Sequence, residues 1–379
     1  MRIVADENIP LVEKFFSDFG DITRVPGRGM TADDVADADI LLVRSVTKVT
    51  EALLKDSKVR FVGTATIGTD HIDTEYLEGQ RIGFASAPGC NSQAVVDYVL
   101  SALSVVVDTR GIDFRDLTVG IVGVGNVGSL LRQRLQDMKV KVLANDPFRD
   151  QEEDDLVSLD EALTADVVTL HTPITKKGDH PTYHLINGQR LAQMKPDAVL
   201  INSARGSVVD NQALKAHLQA NEDFCAILDV WEGEPELDRE LLDLCELGTP
   251  HIAGYSLDGK MRGTEMIYQA ACEFFGLPVR AKLGQFLPEP GIRKLNFSDH
   301  VPMHQALRTA IRACYEIRVD DGVMRAAIKR STSLKEAFDE LRRNYPYRRD
   351  TTTLRVGVPA KSHDLLEVLA AAGFDVRTK

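Results

Sequence analysis

The sequence predicts an α/β protein with two doubly wound parallel-sheet lobes and a small α+β region at the C-terminus. Short apolar runs rich in Val and Ile alternate with segments of helical spacing, as expected of parallel sheets covered by helices. The apolar runs are continuous, which indicates strands that are buried on both faces. After about residue 285 this alternation stops, and a segment rich in Pro and polar residues follows.

Nine apolar runs are the predicted strands of the two lobes. They are Ile3–Ala5, Ile40–Val43, Arg60–Gly63, Ile82–Ala85, Val119–Val122, Val140–Ala144, Val167–Leu170, Ala198–Asn202 and Cys225–Asp229. Two longer helices are expected from about Ser92 to Asp108 and from about Asp258 to Phe275, where Gly and Pro provide a stop signal. These two helices are interpreted as connectors between the lobes.

The C-terminal quarter has a different pattern. Residues 284–300 are interpreted as a linker, and Ser333 with Glu336 is the signature of a capping box that opens a helix. A strand at Leu354–Val358 and a helix from about His363 to Ala371 complete the predicted elements. The mixture of helices and one strand is the basis for the α+β prediction.

Composition and charge exclude several classes of protein. The net charge of −12 disfavours a nucleic-acid binder, which needs a basic surface. Five widely spaced cysteines without a CxxC pair argue against structural zinc and disulfides. The first ten residues lack the pattern of an export signal, and the longest apolar run, Val99–Val107, is too short to span a membrane. We therefore expect a cytoplasmic protein.

A glycine-rich loop follows the predicted strand at Val119–Val122. In GVGNVG, the residues Gly123, Gly125 and Gly128 have the GxGxxG spacing, with Asn126 and Val127 between them. This spacing allows a tight turn and the close approach of a pyrophosphate to backbone N–H groups at a helix N-terminus. Because a strand precedes the loop and a helical pattern follows it, the loop predicts dinucleotide binding.

An acidic residue at the end of the next strand favours NAD over NADP. Asp146 lies 18 positions after Gly128, where a carboxylate would accept hydrogen bonds from a ribose diol and repel a 2′-phosphate. Arg149 lies nearby and leaves NADP as an alternative. NAD is the predicted cofactor.

Polar residues also follow three further predicted strands. In a doubly wound sheet the carboxyl ends of the strands meet at one edge, so these segments should converge on the cofactor. They are HTP at 171–173, INSARGSVVD at 201–210 and DVWEGEP at 229–235, with HIAGY following at 251–255.

Taken together, these motifs resemble the D-isomer-specific 2-hydroxyacid dehydrogenases over roughly residues 1–280. The resemblance implies a flavodoxin-like substrate lobe of residues 1–92 and 258–285, with a Rossmann NAD-binding lobe of residues 93–257 inserted into it. It also implies hydride transfer between NAD and a 2-hydroxy acid, without a metal. The implied cofactor residues are Gly123, Gly125, Asn126, Val127, Gly128, Asp146, Thr172, Ser203, Ala204, Asp229 and Gly254.

By the same resemblance three residues perform the chemistry. Arg205 would bind the substrate carboxylate, since its planar fork suits that group. His251 would take the hydroxyl proton, and Glu234 would pair with its imidazole. Asp229 would face the nicotinamide carboxamide. Glu232 is expected on the surface, and Trp231 is expected to be a packing residue.

The N-terminal loops VRSVTKV and GTATIGTDHID, together with the C-terminal extension, resemble one branch of that family. Its members oxidise a four-carbon 2-hydroxy acid phosphorylated at C4, on the route to pyridoxal 5′-phosphate. The implied substrate contacts are Ser45, Thr66, Arg205 and Tyr255. The alternatives are a dehydrogenase for 3-phosphoglycerate or glycerate, and a corepressor-like protein that senses NADH.

In that branch the C-terminal extension is a dimerisation domain, so residues 286–379 are expected to form a homodimer. This region contains NYPYRRD at 344–350, with two tyrosines and two arginines. We interpret it as a solvated charge cluster. Contact with the phosphate of a neighbouring active site is the alternative.

Overall fold

The computed structural model describes residues 1–150 and 155–378, which form two compact units. One unit comprises Met1–Asn91 and Ser256–Glu289, and the other comprises Ser92–Tyr255 together with the chain from Pro290 onward. All five cysteines are free. In the described ranges, no helix combines the length and apolar character needed to cross a membrane.

The strands and helices are numbered in chain order. The strands are β1 (Arg2–Asp6), β2 (Asp21–Val25), β3 (Ile40–Val43), β4 (Phe61–Thr64), β5 (Gly83–Ala85), β6 (Thr118–Val122), β7 (Lys141–Asn145), β8 (Val167–Leu170), β9 (Val199–Asn202), β10 (Cys225–Leu228), β11 (Leu247–Gly248), β12 (Lys294–Asn296), β13 (Arg355–Val358) and β14 (Asp375–Thr378). The helices are α1 (Val12–Phe16), α2 (Ala32–Val35), α3 (Glu51–Leu54), α4 (Thr74–Gly79), α5 (Ser92–Arg110), α6 (Asn126–Asp137), α7 (Leu159–Ala162), α8 (Gly188–Leu191), α9 (Asn211–Ala220), α10 (Arg239–Leu244), α11 (Leu257–Phe275), α12 (Met303–Cys314), α13 (Ile317–Arg330), α14 (Leu334–Arg343) and α15 (His363–Ala371).

The first unit contains a five-stranded parallel sheet in the order β2-β1-β3-β4-β5, which is the flavodoxin-like order. Its core includes aromatic side chains from α1 and α11, with the ring centroids of Phe15 and Tyr268 5.3 Å apart. The prediction missed β2 because this edge strand is half-exposed and its sequence, DITRV, lacks a continuous apolar run.

The second unit contains a six-stranded parallel sheet in the order β11-β10-β9-β8-β6-β7. Counted from β6, this is a doubly wound order that reverses direction between β6 and β8, where ligands bind in sheets of this kind. Because all the pairs are parallel, the loops that follow the six strands lie at one edge of the sheet. The two-residue strand β11 was not predicted.

The first of the two long predicted helices is confirmed as α5, whose residues from Ser92 to Val107 are all buried. A helix that is buried on every side occupies the interior of its unit. In the same unit α5 packs against α6 on one side and α12 on another, so it joins the NAD-type sheet to the C-terminal region. The second long predicted helix is confirmed as α11.

The C-terminal region is an α+β structure with a three-stranded parallel sheet, β12-β13-β14. The interpretation of residues 284–300 as a linker is wrong for Lys294–Asn296, which pair with β13 as a strand. That strand is short and partly exposed, so it carries little apolar signal. Phe338 of α14 is fully buried in a cluster with Leu241 and Leu242 of α10, so the region shares its core with the six-stranded sheet.

The interpretation of residues 344–350 as a solvated charge cluster is also wrong in part. Arg348 is 5% exposed and Asp350 is fully buried, whereas Tyr347 is 87% exposed. The Arg348 guanidinium carbon lies 4.0 Å from the centroid of the Tyr315 ring. Cation–π contact with buried rings is favourable for Arg, which is less strongly hydrated than Lys.

The shared core predicts that truncating Phe338 destabilises the second unit. We expect Phe338→Ala to lower the free energy of unfolding by about 3–5 kcal/mol, because it leaves a cavity in a packed cluster. Urea denaturation monitored by near-ultraviolet circular dichroism measures this change. The exposed Lys335 of the same helix provides the control, and Lys335→Ala should have almost no effect. Equal stability of the two variants would show that α14 is not part of this core.

Candidate active site

A histidine and a glutamate form a close pair in the loops after β10 and β11. The Nδ1 atom of His251 lies 2.5 Å from Oε1 of Glu234, and both side chains are about 30% exposed or less. The other carboxylate oxygen of Glu234 accepts a hydrogen bond of 3.2 Å from the backbone N–H of Trp231. The structure therefore brings together two of the three residues to which the sequence assigns chemistry.

The charge of Glu234 determines which imidazole nitrogen is free. Burial raises the pKa of Glu234, but the hydrogen bonds from His251 and the Trp231 N–H, together with the charges of His251 and Arg342, outweigh this effect, and the pKa lies below its ordinary value. An ionised carboxylate only accepts hydrogen bonds, so Nδ1 of His251 must carry the proton of this contact. In the neutral ring Nε2 then has its lone pair available as a base.

Asp229, at the end of β10, holds the loop that carries His251. Its carboxylate is 1% exposed and accepts hydrogen bonds from Thr249 Oγ1 at 2.7 Å, the Ile252 N–H at 2.7 Å and the Ala253 N–H at 2.9 Å. The N–H of His251 donates to the Asp229 carbonyl at 2.7 Å. These bonds keep His251 in a left-handed conformation with a φ of 58°, which is uncommon for a residue with a side chain. The expected contact of Asp229 with a nicotinamide carboxamide stays a prediction.

Trp231 joins the glutamate loop to the loop that carries Arg205. The indole is 1% exposed, as expected of a packing residue, and its Nε1–H donates to the Thr249 carbonyl at 3.0 Å. A Cβ at Gly206 would overlap the Trp231 backbone, so only glycine allows the two loops to touch. Arg205 directly precedes this contact, and its carbonyl accepts a hydrogen bond of 3.0 Å from Asn202 Nδ2.

Glu232 is not the plain surface residue that the sequence suggested. One carboxylate oxygen lies 2.7 Å from Nε2 of His184, and the other accepts the Asn211 N–H at 3.3 Å. A ring nitrogen of His184 and one carboxylate oxygen each of Asp210 and Glu232, which are atoms of the kind that bind metal ions, lie within 4.8 Å of one another. Since Glu232 pairs with His184 directly, these contacts fasten the loop at 229–235 to the start of α9.

The glycine loop has the backbone that the sequence predicted. Gly123 has a φ of 92°, and a Cβ there would crowd the carbonyl of His171, across the point where the strand order reverses. A Cβ at Gly128 would overlap the Gly123 carbonyl oxygen. Gly125 is the N-cap of α6, followed by Asn126 and Val127 in its first turn. The loop is thus as tight as a phosphate cradle requires.

Asp146 holds this loop from the end of β7. Its carboxylate accepts hydrogen bonds from the Val124 N–H at 2.8 Å and the Phe148 N–H at 3.1 Å. The guanidinium of Arg149 donates to the Val124 carbonyl at 2.9 Å and lies 3.2 Å from Ser129 Oγ. Arg149 therefore contacts the same loop as Asp146, and the contact of Asp146 with a ribose stays a prediction.

Two hydroxyls at the same sheet edge are buried. Thr172 Oγ1 after β8 and Ser203 Oγ after β9 are buried and form no hydrogen bond within the described ranges. A buried polar atom without a partner is costly, so these atoms fit a bound polar ligand. Ala204 is buried beside Ser203, and Gly254 lies three residues after His251. The predicted cofactor residues thus lie after the strands of the six-stranded sheet, in its loops or in the first turn of α6.

Two predicted substrate residues belong to the other unit. Ser45 and Thr66 follow β3 and β4, which are adjacent parallel strands, so both lie at the carboxyl edge of the five-stranded sheet. Ser45 is exposed, and Thr66 Oγ1 lies 2.8 Å from Thr64 Oγ1 and donates to the Gly68 carbonyl at 3.0 Å. Tyr255, the third substrate residue, lies in the second unit, where its hydroxyl accepts a hydrogen bond of 3.0 Å from Arg342.

Two arginines of the C-terminal region contact residues shortly after His251, and neither contact was predicted from the sequence. Arg342 reaches Tyr255, and Arg348 donates to the Ala253 carbonyl at 2.8 Å and to the Ala94 carbonyl. Both contacts span about 90 positions of sequence, which no local pattern encodes. The only available signal was the grouping of Arg with Tyr and Phe at 338–349.

Comparison with known families agrees with this geometry. Residues 104–253 match the family model described as the NAD-binding domain of D-isomer specific 2-hydroxyacid dehydrogenases. Residues 286–373 match a model described only as a domain of unknown function.

Curated relatives match the whole chain. The erythronate-4-phosphate dehydrogenase of Marinobacter nauticus is 52% identical over the full length of both chains. The protein of that name in Chromohalobacter salexigens is 50% identical over all of this chain and 99% of its own. The chain belongs to the erythronate-4-phosphate dehydrogenase family. Within the D-isomer-specific 2-hydroxyacid dehydrogenases, relatives in this family include the C-terminal region in their alignment with this chain.

Solved structures with this fold cover less of the chain. A D-lactate dehydrogenase from Aquifex aeolicus, solved with NAD and lactic acid, is 26% identical with a TM-score of 0.59, covering 73% of this chain and 96% of its own. A D-lactate dehydrogenase from Lactobacillus jensenii, solved with NAD⁺, is 24% identical with a TM-score of 0.60, covering 74% and 98%. These neighbours therefore leave about a quarter of this chain unmatched.

NAD is the cofactor of this protein. The family model that matches residues 104–253 is an NAD-binding domain, and the local geometry fits the cofactor. The tight loop at Gly123 and Gly128 would hold its pyrophosphate, Asp146 its ribose, and the hydroxyls of Thr172 and Ser203 its remaining polar groups.

Two alanine substitutions in the glycine loop should separate cofactor binding from stability. At Gly125 an added Cβ has no neighbour within 4 Å and φ is −76°, so Gly125→Ala should keep the thermal midpoint. It should still weaken NADH binding by about tenfold or more, because the methyl group would occupy the approach of the pyrophosphate. Gly128→Ala should lower both properties, because its Cβ would overlap the Gly123 carbonyl. NADH fluorescence titration and thermal unfolding provide the two measurements. Wild-type NADH affinity in both variants would contradict the assignment of the loop.

Proposed function

We propose that this protein oxidises 4-phospho-D-erythronate at C2 with NAD, giving (R)-3-hydroxy-2-oxo-4-phosphooxybutanoate in the synthesis of pyridoxal 5′-phosphate. The main support is the His251–Glu234 pair at the edge of the six-stranded sheet. The loop that carries Glu234 also contacts Gly206, the residue after Arg205. Identity of 52% over the full length with a relative named erythronate-4-phosphate dehydrogenase supports the substrate.

His251 serves as the base for the C2 hydroxyl. With Nδ1 donating to Glu234, Nε2 accepts the hydroxyl proton, and the imidazolium that forms is stabilised by the adjacent carboxylate. In the reverse direction the same nitrogen returns the proton to the C2 oxygen. The Asp229 hydrogen bonds fix the loop, so the ring does not need to reorient for each transfer.

Arg205 orients the substrate for the transfer. Its guanidinium would bind the C1 carboxylate in the two-pronged manner that Lys cannot match, and it would polarise the C2 oxygen. NAD supplies the acceptor for the hydride that leaves C2. As the C–H bond breaks, the O–H proton moves to His251, so the C2 alcohol becomes a ketone and no charge remains on its oxygen.

The remaining substrate contacts and the division into domains belong to the same proposal. Ser45 and Thr66 would supply hydroxyls from residues 1–92 and 258–285, the proposed substrate-binding lobe, and Tyr255 would lie at the far end of the substrate. Residues 93–257 would form the NAD-binding lobe. Phosphate recognition is consistent with Ser and Thr side chains that follow parallel strands.

We further propose a cytoplasmic homodimer that assembles through residues 286–379. In α13, Val319 is 61% exposed and Val323 is 52% exposed, and they lie one helical turn apart on the same face. Exposed aliphatic residues grouped on one face are typical of an interface. Ile292, at 48% exposure, belongs to the same region.

The activity is tested by NADH formation from NAD with 4-phosphoerythronate, 3-phosphoglycerate and glycerate in turn. We expect turnover with the four-carbon phosphate to exceed the others. His251→Asn should lower kcat by about 10²–10⁴-fold while leaving NADH affinity nearly unchanged, because it removes only the base. His304→Asn, which alters an exposed histidine of α12, is the matched control.

Preference for a three-carbon acid would contradict the proposed substrate but retain the dehydrogenase chemistry. NADH binding without turnover of any of the three acids would instead favour a sensor of NADH.

The dimer is tested by light scattering after size-exclusion chromatography. The wild-type mass should be that of two 41.8 kDa chains, and Val319→Glu combined with Val323→Glu should reduce it to one. Val279→Glu, at an exposed valine outside the region, is the control. A wild-type monomer, or a dimer that survives the double substitution, would contradict this interface.

A further inference from the structure

We propose that Arg342, in the C-terminal region matched by the domain of unknown function, binds the substrate phosphate in the active site of its own chain. This inference rests on the proposed function and names a further residue that determines its specificity. It would give the C-terminal region a direct part in substrate recognition, in addition to assembly.

The position of Arg342 is the first argument. Arg342 lies in the last turn of α14, and its Nη2 donates a 3.0 Å hydrogen bond to the hydroxyl of Tyr255, four residues after His251. The guanidinium carbon is 5.6 Å from the centroid of the Tyr255 ring and 5.9 Å from that of Phe338. Arg342 therefore adjoins the residue proposed for the far end of the substrate, on the loop that carries the base.

The charge of Arg342 acts on the catalytic pair. Burial raises the pKa of Glu234, and the groups that lower it are His251, the Trp231 N–H and the positive charge of Arg342. A charge contributes in this way only when it lies close to the carboxyl group or is poorly screened from it. The charge of Arg342 thus adds to the field at Glu234, while its hydrogen bond to Tyr255 fixes its position.

The third argument is the set of partners that Arg342 has among the described residues. Within the described ranges no carboxylate lies at ion-pair distance from it, and its buried Nε has no hydrogen-bond partner. Arg325 of α13, by contrast, pairs with Asp321 at 2.8 Å. In the other unit, Arg44 pairs with the buried Asp6 at 3.1 Å. A half-buried guanidinium left unpaired in a chain of net charge −12 is suited to an anionic ligand.

The chemistry of the substrate indicates which anion Arg342 would bind. The proposed substrate has a carboxylate at C1 and a phosphate at C4, and Arg205 is assigned to the carboxylate. The phosphate then needs a donor at the opposite end, where Tyr255 is proposed to lie. Arg342 presents a planar set of N–H donors to this end, which matches phosphate geometry.

The surrounding packing holds Arg342 in place. Phe338, one turn earlier in α14, is fully buried, and Arg348 binds the Ala253 carbonyl six residues later. Both ends of this segment are therefore fixed to the core of the unit. A fixed cation loses little conformational entropy on binding, so it contributes more to affinity than a mobile surface arginine.

The test compares Arg342→Gln with Arg343→Gln, which alters the exposed neighbour, using 4-phosphoerythronate and unphosphorylated D-erythronate. For Arg342→Gln we expect the ratio of the two kcat/KM values, phosphorylated over unphosphorylated, to fall by about 10–100-fold. The change should appear mainly as a higher KM for the phosphorylated substrate. Arg343→Gln should leave the ratio at the wild-type value.

Three controls keep the result interpretable. NADH affinity and the thermal midpoint report whether Arg342→Gln is folded, and Tyr255→Phe removes the hydroxyl partner but keeps the charge. Should Arg342→Gln fail to fold, Arg342→Lys is measured in its place; it keeps the charge without the planar fork, so the ratio should fall less. An unchanged ratio in the folded variant, or an equal loss with both substrates, would overturn the inference.

A titration with inorganic phosphate separates this inference from the proposed function. Calorimetry of phosphate binding to the NADH complex should give a Kd about tenfold weaker or more in Arg342→Gln than in the wild type. This result does not require turnover. If the wild type oxidises none of the acids, the proposed function fails. The phosphate titration still tests whether Arg342 binds phosphate. Equal phosphate affinity in the two proteins would overturn the role of Arg342 alone.

Discussion

The position of His251, the proposed base, depends on the buried carboxylate of Asp229. Three hydrogen bonds of 2.7–2.9 Å connect it to Thr249, Ile252 and Ala253, and its backbone carbonyl accepts the N–H of His251. This arrangement keeps His251 at an uncommon φ and directs Nδ1 to Glu234. A buried carboxylate is costly unless its oxygens are satisfied, so the loop and the carboxylate stabilise each other.

The C-terminal region reinforces the same loop from the other side. Arg348 donates a hydrogen bond to the carbonyl of Ala253, and the N–H of Ala253 donates to Asp229. One residue is therefore bound both by the residue after β10 and by the C-terminal region. Phe338 extends the core of the six-stranded sheet into α14. The region that matches a domain of unknown function is thus, in this chain, part of the structure that holds the loop of His251, the proposed base.

Much of the fold and of the catalytic set could be predicted from the sequence, because each depends on local patterns. β3 and β8 were predicted with the observed bounds, since both are short, fully buried runs in which Thr169 is the one polar residue. The half-exposed β2 and β12 have no such run and were missed. The glycine loop and Glu234 were recognised from motifs, whereas Arg342 and Arg348 act through contacts that span about 90 positions. Only the folded chain reveals such contacts.

The central claim is that Glu234 and the loop held by Asp229 keep His251 with a proton on Nδ1 and a free Nε2. The most direct measurement is a long-range ¹⁵N–¹H correlation spectrum of the protein labelled with ¹⁵N-histidine, in which His251→Asn identifies the His251 signals. We predict that the neutral ring of His251 is the Nδ1-protonated tautomer, with Nε2 unprotonated. A ring protonated on Nε2 instead would contradict the account, because no base would then face the substrate hydroxyl.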